Sequence, residues 1–402
     1  SQLRAIASDD LAALLTEQIS ALNSTQLAGL LDAQVAALTT AQAAALTTAG
    51  AAALGPAQAA ALETDDLVAM LTSVVRALGS DQIAALGTQQ VAALSTAQLV
   101  GMATAQIAAL GSGQIAALTT LQATHLSAAN VSALGTEQIA ALETEDLVVL
   151  TTGNVRILGS VQIAALRTAQ IVALTSDQVA VLSSSQVSGL LSDQIAALET
   201  ADLVAMATAA LGSFSTEQVL ALDTSQIASL TTAQFAVWST LNAAALATLQ
   251  VVAIETADLA VMSTAALAAL DTNQIAALRT EQVIALTSAQ VFALATASTT
   301  ALGTSQIAVL ETTDVVVLGT ANILALSSDQ IVALTTSQVA ALTTSNLTGL
   351  SSAQMAVLQT EDLAVLTTVN IRSLSTDQLR ALGTDQIVAL TTAQVFALTT
   401  LN

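Results

Sequence analysis

An eight-residue repeat fills the chain without interruption and limits what the chain can fold into. When residues 7–14 are taken as the first octad, 49 complete octads cover residues 7–398 with no insertion or deletion. The consensus is x-T-x-Q-φ-x-A-L, where φ is Ile, Val or Leu, and residues are named below by their position, 1 to 8, in this octad. Because no linker breaks the phase, the sequence predicts one continuous octapeptide-repeat domain over residues 1–402.

The spacing of apolar residues within the octad excludes both a strand and a continuous helix. Position 8 is Leu in 42 of the 49 octads, and position 5 is usually Ile, Val or Leu. These positions are three residues apart, so in a strand their side chains would point to opposite faces of the sheet. In a continuous helix eight residues overshoot two turns by about 80°, so the apolar stripe would wind around the helix. The octad therefore predicts a helix that breaks once in every repeat.

Polar residues at fixed positions predict where each helix starts and stops. Position 2 is Ser or Thr in 46 of the 49 octads, which predicts an N-cap there. Acidic residues at position 3 suit the positive end of the helix dipole. Glycine, found at position 1 in nine octads such as that of Gly79, is predicted to be a C-cap. Each octad is then a helix of about six residues followed by a two-residue turn.

Helices this short are stable only when packed, because an isolated helix needs about 12–15 residues. We expect positions 5 and 8 to be buried against neighbouring units, with Ala or Gly at position 7 allowing close backbone approach. The sequence therefore predicts an all-α solenoid of very short helices without β-sheet. Gln occupies position 4 in 31 octads, and its amide both donates and accepts hydrogen bonds. This predicts a ladder of glutamine bonds to the backbone of neighbouring units.

A longer period of 56 residues, or seven octads, is superimposed on the octad. Asp replaces Gln at position 4 in seven octads, and four of the six intervals between them are 56 residues long. These octads begin at residues 7, 63, 143, 199, 255, 311 and 359. Two compatible interpretations remain open: seven octads make two superhelical turns, or a 56-residue block has been duplicated.

Charge and composition exclude several classes of partner. The chain has seven Arg, no Lys and 29 acidic residues, and its net charge of −22 opposes binding to nucleic acid. No apolar run approaches the ~18–20 residues that a membrane-spanning helix needs, so no transmembrane segment is expected. The absence of cysteine removes disulfides, thiolate metal sites and cysteine nucleophiles.

Few residues are candidates for chemistry. The many hydroxyls are explained as helix caps, and His125 has no second histidine or cysteine with which to build a transition-metal site. We therefore expect no enzyme activity and no cofactor. The one candidate metal set is Glu143, Glu145 and Asp146, because closely spaced carboxylates suit Ca²⁺. The alternative is that these acids complement a helix dipole, since the sequence lacks known calcium-loop spacings.

Octads close to the forms TTAQVAAL and TSDQIAAL, such as residues 335–342 and 79–86, resemble a known kind of repeat. Similar octapeptide tracts occur in very large, acidic, cysteine-free surface proteins and adhesins of Gram-negative bacteria, many of them exported by type I secretion. The resemblance implies a structural extender, scaffold, surface-layer or fibre component located outside the cell or on its surface. The alternative is a binding module whose periodic threonines or acids recognise Ca²⁺, a polysaccharide or ice.

The outermost octads predict self-association. Solenoids normally end in polar capping units, but the octads at 7–14 and 391–398 keep the apolar positions of all the others. We therefore expect chains to associate end to end or laterally. Residues 1–6 also resemble part of a repeat, so we expect the chain to be an excerpt from a longer one.

Overall fold

In the computed structural model, which describes residues 2–398, every octad contains one short helix. A 3₁₀ helix at Gln2–Ala5 precedes 49 α-helices of four to seven residues, and no strand occurs among the described residues. The predicted all-α fold, with helices of about six residues that break in every octad, is confirmed. No helix in this part of the chain has the length and apolar content needed to cross a membrane.

The helices are numbered α1 to α49 in chain order. Helices α1 to α25 are Ser8–Ala12, Thr16–Ser20, Ser24–Ala28, Asp32–Ala36, Thr40–Ala44, Thr48–Ala52, Pro56–Ala60, Thr64–Ala69, Thr72–Val75, Ser80–Ala85, Thr88–Ala93, Thr96–Gly101, Thr104–Ala109, Ser112–Ala116, Thr120–Thr124, Ala128–Ala133, Thr136–Ala141, Thr144–Val148, Thr152–Ile157, Ser160–Ala164, Thr168–Ala173, Ser176–Ala180, Ser184–Val187, Ser192–Ala197 and Thr200–Ala205. Helices α26 to α49 are Thr208–Leu211, Thr216–Ala221, Thr224–Ser229, Thr232–Phe235, Thr240–Ala245, Thr248–Ala253, Thr256–Val261, Thr264–Ala268, Thr272–Ala277, Thr280–Ile284, Ser288–Phe292, Thr296–Ala301, Thr304–Val309, Thr312–Val317, Thr320–Ala325, Ser328–Val332, Thr336–Ala341, Thr344–Thr348, Ser352–Val357, Thr360–Val365, Thr368–Arg372, Thr376–Arg380, Thr384–Ala389 and Thr392–Leu398.

The N-cap lies at position 1, one residue before the predicted position. Thr39 has extended backbone angles, and its hydroxyl accepts a hydrogen bond of 3.3 Å from the backbone N–H of Gln42. Asp271 does the same for Gln274 at 2.8 Å. The prediction that position 2 is the N-cap is therefore wrong, and position 2 is the first helical residue. Pro56 fits this position because the first helical residue needs no N–H partner.

Glycine at position 1 is an N-cap and not the predicted C-cap. Gly79 has φ −76° and ψ 165°, and no residue among 2–398 has positive φ. The helix that begins at Ser80 instead ends where Leu86, at position 8, adopts extended angles. Glycine is tolerated at the start because an N-cap accepts glycine at little cost.

Positions 5 and 8 form the core, as predicted. In one octad Ile275 is fully buried and Leu278 is 4% exposed. Larger side chains fit at position 8 as well, since Trp238 is buried with its ring centroid 4.8 Å from that of Phe235. Burial of these aliphatic side chains stabilises the fold by about 25 cal/mol per Å² of apolar surface.

Helices pack against the helix three octads away. Examples are α7 with α10 and α31 with α34. Glycine at position 7 allows a close approach, because a Cβ built on Gly349 would lie 2.6 Å from Cγ2 of Thr320. At such contacts the predicted close passage at position 7 is confirmed.

The chain divides into two compact units, Ser1–Ala210 and Leu211–Asn402. Both contain the same stack of helices, with packing partners three octads apart. That the octads form a single continuous domain stays a prediction.

Candidate functional site

The most regular polar feature of each unit is the buried glutamine at position 4. Oε1 of Gln170 accepts a hydrogen bond of 2.7 Å from the backbone N–H of Arg167, at position 1 of the same octad. Nε2 of Gln170 donates to the carbonyl oxygens of Ile139 at 2.9 Å and Leu142 at 2.8 Å. Those carbonyls belong to positions 5 and 8 of the octad four repeats earlier. One side chain therefore joins the start of its own helix to the end of another.

The same arrangement recurs in the second unit. Gln282 accepts from the N–H of Arg279 at 2.9 Å and donates to Val251 and Ile254 at 2.8 Å each. This confirms the predicted glutamine ladder. Lysine has no acceptor and glutamate has no donor, so neither can satisfy all three backbone groups.

The ladder also bears on the 56-residue period. Its bond to position 8 spans 28 residues, for example from Gln282 to Ile254, which is half of that period. Because helices pack three octads apart and the ladder reaches four octads back, one turn takes between three and four octads. This favours the interpretation of two turns per seven octads.

Asparagine replaces glutamine in the ladder with a shorter reach. Nδ2 of Asn370 donates to the carbonyl oxygen of Leu342 at 2.7 Å. Nδ2 of Asn322 donates to Leu294 at 3.2 Å, while its Oδ1 accepts from the hydroxyl of Thr296 at 2.9 Å. Both asparagines keep the bond to the position-8 carbonyl, and Asn346 also accepts from the backbone N–H of Thr343, at position 1 of its octad, at 3.0 Å.

Aspartate at position 4 is buried in the same place. The hydroxyl of Ser288 donates to Oδ1 of Asp314 at 2.6 Å, and that of Ser176 donates to Oδ1 of Asp202 at 2.7 Å. Burial raises the pKa of each of these carboxyls, and the hydroxyl bond acts in the opposite direction. The buried aspartates at position 4 are Asp66, Asp146, Asp202, Asp258, Asp314 and Asp362.

Four of these aspartates keep a carboxylate oxygen without a hydrogen-bond partner. The oxygen is Oδ2 of Asp66, Asp146, Asp314 and Asp362. The sequence analysis assigned acids of the first turn to the helix dipole and did not predict this burial. The signal was available, because these acids occupy the position where glutamine is predicted to bond to a neighbouring backbone.

The predicted calcium residues are not brought together. Glu143 and Glu145 are exposed, whereas Asp146 is buried in the ladder. The hydrogen bond from its own backbone lowers the pKa of Glu145, and the hydroxyl of Thr144 adds to this effect. Within residues 2–398 no group of three or more His, Cys, Asp or Glu side chains is placed to hold a metal ion.

His125 and the threonines of position 2 are further polar residues that were considered as functional candidates. Nδ1 of His125 lies 2.8 Å from the carbonyl oxygen of Leu121, in the helix that His125 follows. Threonines at position 2, such as Thr272, are exposed.

Comparison with known families identifies the repeat. A family model described as the ALTTAQ repeat matches more than half of the chain, and its six letters occur at residues 37–42, across position 8, the N-cap and the ladder glutamine. The matched segments are 3–40, 59–96, 91–120, 139–176, 195–232, 251–288, 307–344, 355–392 and 368–400. Seven of these segments begin four residues before an octad with Asp at position 4. No curated protein matches the chain.

Proposed function

The chain belongs to the ALTTAQ repeat family, and from that premise we propose that it is a structural repeat protein of the cell exterior. Its role is that of a scaffold, fibre, surface-layer or adhesin extender. The glutamine ladder carries this proposal. The ladder uses glutamine, the most regular polar side chain of the octad, to join one backbone segment to another. The glutamine side chain is buried and is therefore not exposed for ligand binding.

The location outside the cell is supported by composition and by resemblance. The chain has no cysteine and a net charge of −22, features shared with the large bacterial surface proteins that its octads resemble. A high negative charge keeps an aliphatic protein soluble and opposes association with nucleic acid. The proposal assigns the chain no catalytic activity and no cofactor.

End-to-end association is part of the proposal. At position 5 of two late octads, Ile387 and Val395 are each 45% exposed, whereas Ile275 at the same position is fully buried. Further octads, from the same chain or from a second copy, would cover these side chains. The apolar contact and the regular offset of the ladder both favour axial stacking over random aggregation.

Electron microscopy and light scattering over a dilution series test this assembly. We expect rods or filaments that shorten on dilution, and bundles at high salt because salt screens repulsion between neighbouring chains. Ile387→Asp should reduce filament length because it places a charge in the axial contact. Val388→Asp is the matched control, since Val388 is at the exposed position 6. Monodisperse monomers at high protein concentration would reject the assembly proposal.

A binding module is the second candidate, favoured by the exposed threonines at position 2. Their repetition could match a periodic ligand such as a polysaccharide or ice. Sedimentation with insoluble polysaccharides and an ice-recrystallisation assay test this candidate. Replacing several of these threonines with serine should weaken binding if the threonine methyl groups contact the ligand. If the protein bound neither polysaccharide nor ice, the scaffold would be the one remaining candidate function.

A further inference from the structure

Asp314 and Asn322 occupy position 4 of neighbouring octads and hold matching contacts. Oδ1 of Asp314 accepts from the hydroxyl of Ser288, and Oδ1 of Asn322 accepts from that of Thr296, each 26 residues earlier. Nδ2 of Asn322 then donates to a carbonyl oxygen 28 residues earlier. The atom of Asp314 that corresponds to Nδ2 is Oδ2, which is buried and without a partner.

An unprotonated Oδ2 cannot make the bond that Nδ2 makes. The carbonyl that corresponds to that of Leu294 is the carbonyl of Leu286, 28 residues before Asp314. Two oxygen acceptors would then face each other in a buried place, which costs free energy unless a donor lies between them. A proton on Oδ2 supplies that donor and makes the carboxyl equivalent to the amide of asparagine.

A bound cation fits this place less well than a proton. Nδ2 of Asn370 lies 2.7 Å from a position-8 carbonyl oxygen, and Nδ2 of Asn322 lies 3.2 Å from another. A Ca²⁺ ion takes about 6–8 oxygen ligands, and within residues 2–398 no group of three or more His, Cys, Asp or Glu side chains is placed to hold a metal ion. A hydrogen bond spans the gap that the asparagines define.

We propose that Asp66, Asp146, Asp314 and Asp362 carry a proton on Oδ2 in mildly acidic solution and donate it to the position-8 carbonyl four octads earlier. These four residues are then pH-dependent members of a ladder that is otherwise built from amides. At a pH at which these carboxyls are protonated, their hydrogen bonds stabilise the stack of helices. At a higher pH each carboxylate oxygen lies against a carbonyl oxygen, and the stack is less stable.

The charges around Asp314 agree with this assignment. Its helix, α39, packs against α36 and α42, which contain no ionisable residue. Burial has the largest effect and raises the pKa of Asp314, and the charge of Glu311, at the N-cap of α39, raises it further, whereas the hydroxyl of Ser288 and the backbone hydrogen bond of Glu311 lower it. Arg279 and Glu281, in the octad that contains Leu286, are both exposed.

The direction of the pH effect follows from the raised pKa. The folded chain holds the proton more tightly than the unfolded chain, so the stabilisation is full below the unfolded pKa of about 3.9. It is lost as the pH rises through the higher pKa of the folded state. The ladder is thus weaker at alkaline pH than in mild acid.

The test compares wild-type protein with Asp314→Asn at several pH values in high salt. Urea unfolding is followed by far-UV circular dichroism and by the fluorescence of Trp238, the single tryptophan. We expect the variant to have a roughly tenfold smaller unfolding constant than wild type near pH 8, because it supplies the missing donor. Near pH 4 the two proteins should unfold at similar urea concentrations.

Asp329→Asn is the control for the loss of one negative charge. Asp329 lies at position 3 and is exposed, so this change should give the same small shift at every pH. Asparagine at all four proposed positions should remove most of the extra pH dependence seen in wild type. If Asp314→Asn is no more stable than wild type near pH 8, or if its advantage does not shrink in acid, Oδ2 does not act as a donor and the proposal is rejected.

Discussion

The side-chain nitrogen of Gln282 lies 2.8 Å from the carbonyl oxygen of Ile254, which comes 28 residues earlier in the chain. The acceptor is a backbone atom, so the bond depends on the register of the repeat and not on the identity of the partner residue. This explains why position 4 is more restricted than position 6, whose side chains point outward and vary. The most restricted polar position of the octad is therefore a glutamine whose side chain hydrogen-bonds to backbone atoms.

Replacing Gln282 with leucine tests the ladder. The change leaves the N–H of Arg279 without its acceptor and removes one of the two donors to each of the carbonyls of Val251 and Ile254. We expect the free energy of unfolding to fall by about 3 kcal/mol. Urea unfolding followed by circular dichroism measures this loss. Gln282→Asn should cost about 1 kcal/mol, because asparagine can still reach the position-8 carbonyl. Equal losses for leucine and asparagine would show that the amide bonds do not carry the stability.

The assignment of the core is tested at Leu278. Leu278→Ala should lower the free energy of unfolding by about 2–5 kcal/mol, because it opens a cavity at a position that is 4% exposed. Leu278→Asp should unfold the surrounding octads. The control is Leu324→Ala at position 6, where the side chain is exposed and the expected change is under about 0.5 kcal/mol. If the Leu278→Ala protein were as stable as the control, the core would have been assigned to the wrong face of the helix.

The corrected N-cap is tested at two adjacent residues. Asp271→Ala removes the acceptor for the N–H of Gln274 and should lower the free energy of unfolding by about 1 kcal/mol. Thr272→Ala changes the first helical residue and should cost less than about 0.5 kcal/mol. Thermal unfolding of the two variants ranks them. If Thr272→Ala lost more stability than Asp271→Ala, the N-cap would be at position 2.

The close approach at position 7 is tested by Gly349→Ala. Its new methyl group would meet Cγ2 of Thr320 at 2.6 Å, so we expect a loss of about 1–3 kcal/mol in the free energy of unfolding. Thr320→Ser removes that methyl group and should restore much of the loss in the double variant. Gly319→Ala, where no atom lies within 4 Å, is the control for the change of residue type. Independent effects of the two changes would argue against direct contact.

Calcium titration tests the acids that the sequence singled out. Because Glu143 and Glu145 are exposed and Asp146 is buried in the ladder, we expect no saturable calcium site in this octad. Isothermal titration calorimetry at low salt, with Mg²⁺ as the comparison ion, measures binding. Saturable binding that is selective for Ca²⁺ and lost in Glu145→Gln would contradict the geometry described above.

Much of the fold was predictable because the octad repeats each signal many times. Side chains such as Ile275 and Leu278 recur three residues apart, which fixes both the helix and its buried face. The restriction of position 4 to glutamine also predicted its bonds to backbone. These features follow from spacing and donor chemistry, which are properties of the sequence alone.

The cap position was less predictable. Octads such as 39–46 have hydroxyl residues at both positions 1 and 2, and either can cap a helix. Glycine at position 1 fits an N-cap as well as a C-cap, so it did not separate the two choices. The burial of Asp314 was missed for a different reason: the acids of the first turn were assigned to the helix dipole, although Asp314 occupies the position at which glutamine forms the ladder.

The ladder offset also limits how such a gene can change in length. A glutamine bonds to backbone carbonyls four octads earlier, whatever side chains those residues carry. Recombination that adds or removes blocks of eight codons therefore brings each glutamine to an equivalent pair of carbonyls. A deletion of one codon would instead shift every bond that crosses it, over four octads on either side. We therefore expect alleles of the gene to differ in length by whole octads, so that the number of octads varies while the fold is retained.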